Sequence, residues 1–180
     1  MLQNRLAILG FLLFSLLYNC KAIGNTFVPI EGFDAKTNER LERFFLETKN
    51  YDKRKIAVFD GDGTVVGQAP HYMADECLYE VAKANPQKKA DVIQKMTKLS
   101  NVSMEYVQLR VKFFEGDTVD YLRELGAKCY HTHYAGKVFK PMVSLIGALK
   151  ENGFEVWVIT ASPEALYQKF LSEELHIPIT

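Results

Sequence analysis

The segment Phe59-Asp60-Gly61-Asp62-Gly63-Thr64 sets two carboxylates one residue apart, each followed by a glycine. Two aspartates this close repel one another unless a cation or a shared proton relieves them. Magnesium fits that need, because it favours one or two carboxylates together with waters and phosphate oxygens, and the segment offers few ligands and no imidazole. The carboxylate of Asp60 and the backbone carbonyl of Asp62 are the expected metal ligands. Gly61 and Gly63 let the backbone turn sharply and aim N–H groups at an anion, so the same loop can hold phosphate oxygens as well as a metal. A tight Asp-Gly turn in a hairpin would use the same residues. The helical pattern downstream, where a hairpin needs an alternating strand, argues against it.

These groups need elements to position them. Residues 56–59 form a short apolar run of β-formers ending in the polar loop, which reads as a buried strand. Residues 154–159 read as a second one, ending in Thr160-Ala161-Ser162-Pro163. Residues 37–48 carry Leu41, Phe44 and Phe45 at helical spacing among charges. Between about residues 70 and 140 the apolar positions recur at three and four, as in Leu78, Val81 and Ala82 or Tyr106, Leu109 and Phe113, with breaks near Asn85-Pro86, Gly116 and Gly126. A helical insertion is expected there. Pro141 opens a further helix that stops at Asn152-Gly153, and a last helix runs over 164–175, with Ser162 its expected cap and Pro163 its first position. A strand, a helical excursion, a helix and a strand make a crossover, so the strands should be parallel neighbours in an α/β fold. Ligands of open parallel sheets bind at the carboxyl ends of the strands, where both polar clusters fall.

The chain has 180 residues, 48% of them hydrophobic and 24% charged, an ordinary globular composition with enough length for one core. Twenty-two basic side chains balance 22 acidic ones, so no long-range field steers it toward nucleic acid. An apolar run over residues 6–18 follows Arg5 and is too short for a comfortable membrane span of ~20 residues, so residues 1–22 read as a secretory signal peptide and residues 23–180 as the mature domain. Cleavage after Ala22 and lipid attachment to Cys20 are both open, as is an uncleaved anchor. The expected location is therefore periplasmic or outer-surface, with a membrane tether if Cys20 is lipidated. Cys77 and Cys129 leave room for one disulfide. His131 and His133 lack the neighbours a metal site needs, and Tyr106, Phe113 and Phe114 read as core more readily than as pocket lining.

The run from Phe59 to Thr64 resembles the DxDGT nucleophile motif of the haloacid dehalogenase superfamily, and Val156-Trp-Val-Ile-Thr160 looks like that family's second motif. The separation of the two is similar to members with a helical cap after the first strand, such as phosphoserine and phosphorylcholine phosphatases. The resemblance implies a Rossmann-like core with an inserted cap and magnesium-dependent hydrolysis of a small phosphorylated metabolite. It further implies that Asp60 attacks phosphorus and that Asp62 protonates the leaving alcohol and later activates water. Thr160 and the N–H of Ala161 would bind the phosphoryl oxygens.

The pattern also departs from the family. Members carry a lysine or arginine and an acidic pair after later strands. Here no aspartate follows Asp120, Glu164, Glu173 and Glu174 lie on the last helix or just before it, and Lys169 is on that helix too. The sheet is therefore expected to be incomplete and the chain short relative to its family. A non-catalytic exported phosphate-binding lipoprotein and an inactive remnant are the rival readings.

Overall fold

A computed structural model describes residues 27–179. The expected signal peptide and Cys20 lie outside the described residues. The chain runs α1 (Ala35–Thr48), β1 (Lys55–Asp60), α2 (Met73–Ala84), α3 (Ala90–Met96), α4 (Met104–Phe113), α5 (Val119–Cys129), a π-helical turn (Tyr130–Tyr134), α6 (Lys140–Glu151), β2 (Phe154–Ile159) and α7 (Ala165–Leu175). Local chemistry accounts for most helix starts. Asp34 accepts the Thr37 N–H at 2.8 Å to begin α1, Ser103 accepts that of Tyr106 at 3.2 Å for α4, and Thr118 that of Tyr121 at 3.2 Å for α5. Pro141 sits in the first turn of α6, and Gly153, at φ +79°, turns the chain into β2.

β1 and β2 pair in parallel, from Lys55 opposite Phe154 to Asp60 opposite Ile159. Phe59, Ala57, Val156 and Val158 face the core, where α6 packs along β2 through Ile146 and Leu149. The expectation of strands buried on both faces is corrected here. Ile56, Val58, Trp157 and Ile159 are 40, 52, 46 and 61% exposed, because no described element covers that face. Arg54 shields a part of it, bonding Glu155 at 2.8 and 2.7 Å with its guanidinium over the Trp157 ring. Among the described residues no helix is long and apolar enough to cross a membrane.

The helices α2 to α5, between β1 and the π-helical turn, join the core through α7. α5 lies along α7, and the two backbones approach closely at Gly126, where an added Cβ would overlap the Leu166 carbonyl. A Cys77–Cys129 disulfide, buried at both ends, ties α2 to α5. α4 is held to α2 by a buried ion pair in which Arg110 Nε donates to Asp75 Oδ1 at 2.7 Å, with both residues 3% exposed. The Arg110 guanidinium also lies over the Tyr72 and Tyr106 rings. Tyr106, Phe113 and Phe114 are buried in this core, as their spacing implied.

Two stability changes follow from these contacts. Gly126→Ala gains helix propensity but forces α5 off α7, and urea unfolding should show a net loss of roughly 1–3 kcal/mol. An unchanged midpoint would contradict the close approach. Asp75→Ala strands a buried guanidinium, and the same measurement should show a loss of about 3–5 kcal/mol; a loss below 1 kcal/mol would mean that Arg110 is not held in the interior.

Candidate active site

β1 ends on Asp60, which projects on the open side of the strand end. The loop that follows is closed by its own backbone. The Gly61 carbonyl accepts N–H bonds from Val65 at 2.9 Å and Val66 at 3.1 Å, and the Gly63 N–H donates to the Val66 carbonyl at 2.7 Å. Gly63 has φ +78°, a left-handed backbone that favours glycine, whereas a Cβ there would meet only the movable end of the Gln68 side chain. Val65 and Val66 are fully buried and anchor the loop to the core.

Gly61 plays a different part from the one expected of it. Its φ is not left-handed, and its N–H donates across the sheet to the Ile159 carbonyl at 3.2 Å, so that group is spent on strand pairing and is not free for a phosphate. Among the described residues, the N–H groups of Asp62 and Thr64 have no acceptor and remain open to an anion.

The second cluster lies beside the first. A Cβ on Gly61 would be 3.6 Å from the Thr160 Cβ, so the loops after β1 and β2 touch. Thr160 Oγ1 accepts the Ser162 N–H at 3.1 Å, which folds the loop back on itself and leaves Ala161 exposed. Ser162 is not the cap of α7. The N-cap position is Glu164, with no side-chain cap bond, and the Ser162 hydroxyl instead accepts an N–H from Arg110 at 3.1 Å. A groove between β2 and α7, lined by Val156, Val158, Thr160 and Tyr167, reaches the site at Thr160, whereas Asp60 is not part of its lining.

Asp60 and Asp62 live in unlike surroundings. Asp60 is exposed. Asp62 is half-buried, with its two carboxylate oxygens 2.9 and 2.7 Å from the Tyr167 hydroxyl and facing the N–H of Met73, the first residue of α2. Burial pushes the Asp62 carboxyl above the usual carboxylate range. The Tyr167 bond and the Arg110 charge pull it down, and Asp60 adds to the rise. One carboxyl is thus solvated and the other largely withdrawn from water, a difference in environment that can separate the roles of a nucleophile and an acid.

Among the described residues no group of three or more His, Cys, Asp or Glu side chains is placed to hold a metal. The oxygens present do fit magnesium, which keeps several waters and takes oxygens from a phosphate. Asp60 offers a carboxylate without an intramolecular bond, and the Asp62 carbonyl accepts none from the described residues. His131 and His133 lie on the π-helical turn and face Glu173 at 3.4 Å and Glu80 at 2.7 Å. Lys169 is held by Glu124 at 2.6 and 2.5 Å, away from Asp60.

Three polar residues around Asp62 escaped the sequence reading: Tyr167, Arg110 and Asp75. Arg110 carried a signal, since it lies on the same helical stripe as Tyr106, Phe113 and Phe114, and a charge on an apolar stripe calls for a buried partner. Tyr167 shares its stripe with Phe170 and Leu171, a pattern that carries no sign of a polar contact.

The family described as haloacid dehalogenase-like hydrolase matches residues 57–178. Among solved structures, a phosphoserine phosphohydrolase-like protein from Francisella tularensis subsp. tularensis SCHU S4 is similar, with 20% sequence identity over 70% of this chain and 55% of that one and a TM-score of 0.44. This chain thus spans little more than half the length of that protein. No curated protein matches. The family match runs from β1 through α7, well over half of the chain, and the chain therefore belongs to the haloacid dehalogenase-like hydrolases.

Proposed function

We propose that this chain carries the nucleophile and phosphate loops of a magnesium-dependent phosphatase acting on a small phosphorylated metabolite. The observation that carries the reading is the contact of the two loops. Asp60 stands opposite Ile159 in the sheet, and the position of a Cβ on Gly61 is 3.6 Å from the Thr160 Cβ.

A carboxylate oxygen of Asp60 attacks phosphorus, and the bond between phosphorus and the ester oxygen breaks as Asp62 gives that oxygen its proton. The product alcohol leaves, with the phosphoryl group on Asp60. Asp62, now a carboxylate, takes a proton from a water that attacks phosphorus. The bond from phosphorus to Asp60 then breaks, releasing inorganic phosphate and restoring Asp60. Thr160 and the Ala161 N–H hold phosphoryl oxygens throughout, joined by the open N–H groups of Asp62 and Thr64. Asp60 and the Asp62 carbonyl would hold magnesium, which would supply positive charge against the phosphate. Gly61 contributes through strand pairing.

The balance of charge favours slow turnover by the chain alone. Among the described residues no group of three or more His, Cys, Asp or Glu side chains completes a metal shell, and losing one stabilising group commonly costs ~100- to 1,000-fold in rate. Phosphate binding without turnover is the second reading, and this shortfall is what favours it. We also propose export of the chain through its leader. The Cys77–Cys129 disulfide supports this, since such bonds persist in oxidising compartments.

The 180-residue chain should hydrolyse an aryl phosphate with magnesium at well under ~1 s⁻¹, and Asp60→Asn should remove that activity at unchanged thermal stability. Activity that survives Asp60→Asn would refute the assignment. Phosphate binding with no hydrolysis at all would favour the second reading.

A further inference from the structure

We propose that Tyr167 is a positioning residue for the acid step at Asp62, an inference that rests on the phosphatase reading. Among the described residues its hydroxyl is the one side-chain donor to Asp62, and both carboxylate oxygens lie within 2.9 Å of it.

The tyrosine is itself fixed. It is 1% exposed on α7, its ring lies 5.6 Å from that of Phe170, and its hydroxyl is 3.4 Å from Ser162 Oγ. Ser162 in turn accepts from Arg110, and Arg110 is paired with Asp75, so the chain of contacts reaches from Asp62 into α4 and α2. Packing alone would be served by phenylalanine at this position. A hydroxyl buried there needs a partner, and Asp62 supplies it.

The place of the donor is what matters: one fixed hydroxyl within 2.9 Å of both carboxyl oxygens sets the plane and the position of the Asp62 carboxyl. Positioning of this sort speeds proton donation and leaves substrate binding unchanged. Its effect must therefore grow with the basicity of the leaving group, since a poor leaving group depends on the proton and a good one does not.

The test compares 4-nitrophenyl phosphate with phenyl phosphate, which share a shape and differ in leaving-group basicity. It uses the whole chain, Tyr167→Phe, Asp62→Asn and the double variant, all with magnesium. Tyr167→Phe should lower kcat for phenyl phosphate by about tenfold or more, within the ~100- to 10,000-fold that acid–base catalysis supplies. It should change kcat for 4-nitrophenyl phosphate little and KM for neither. Asp62→Asn should lower kcat for both substrates, because it also removes the base that activates water, and adding Tyr167→Phe to it should have no further effect on either. An equal loss on both substrates in Tyr167→Phe, a change in KM alone, or additive effects in the double variant would overturn the proposal. So would a Tyr167→Phe chain that fails to fold by circular dichroism, because the hydroxyl would then serve the fold. If the parent chain shows no turnover that depends on Asp60, the phosphatase reading fails and this inference with it. If that turnover is present and only the leaving-group effect is missing, this inference fails alone.

Discussion

The parallel register that sets Asp60 opposite Ile159 governs the rest of the molecule. Parallel strands cannot be joined by a tight turn, so the chain must leave β1, travel and come back in the same direction. Five helical segments and a π-helical turn occupy that excursion. Its closure delivers both strand ends, and the polar loops they carry, to one edge of the sheet. The close pass of α5 over α7 at Gly126 and the disulfide from α2 to α5 hold the excursion against the core. They are stability features whose functional effect is to keep Thr160 beside the loop of Asp60.

Within that arrangement, environment separates two chemically identical side chains. Asp60 faces solvent on the open side of the strand end, while Asp62 sits one turn inward under α2 and α7. Burial raises the Asp62 carboxyl, and Arg110 of the insertion, paired with Asp75, bonds Ser162 nearby. The insertion thus reaches the core through a short polar relay, and part of the loop after β2 is positioned from outside the two strands.

Much of this was legible in the residues. The run at 56–59 and its continuation into Asp-Gly-Asp-Gly-Thr stated the strand and the polar loop at its end, and the helical recurrence from Leu78 to Phe113 stated the helices that follow. Gly63 was legible because the turn needs its left-handed backbone. Gly61 misled because a glycine in such a loop looks like part of an anion nest, and only the register of the sheet assigns its N–H to Ile159. Ser162 before Pro163-Glu164 has the local pattern of a cap, but Arg110, far away in sequence, claims its hydroxyl. Tyr167 and Asp75 could not be read at all. Their roles arise from contacts between segments that share no local pattern. The open face of Ile56, Val58, Trp157 and Ile159 was missed because a continuous apolar run does not say whether one face or two will be covered.

The central claim is that Asp60 forms a bond to phosphorus. Acid quenching of the chain during turnover of an aryl phosphate with magnesium, followed by reduction with borohydride and peptide mass spectrometry, tests it directly. The account predicts that the peptide containing Asp60, and no other, is phosphorylated before reduction and carries a reduced aspartate afterwards. Turnover that proceeds with that peptide unmodified, or with the phosphoryl group on another residue, would contradict it.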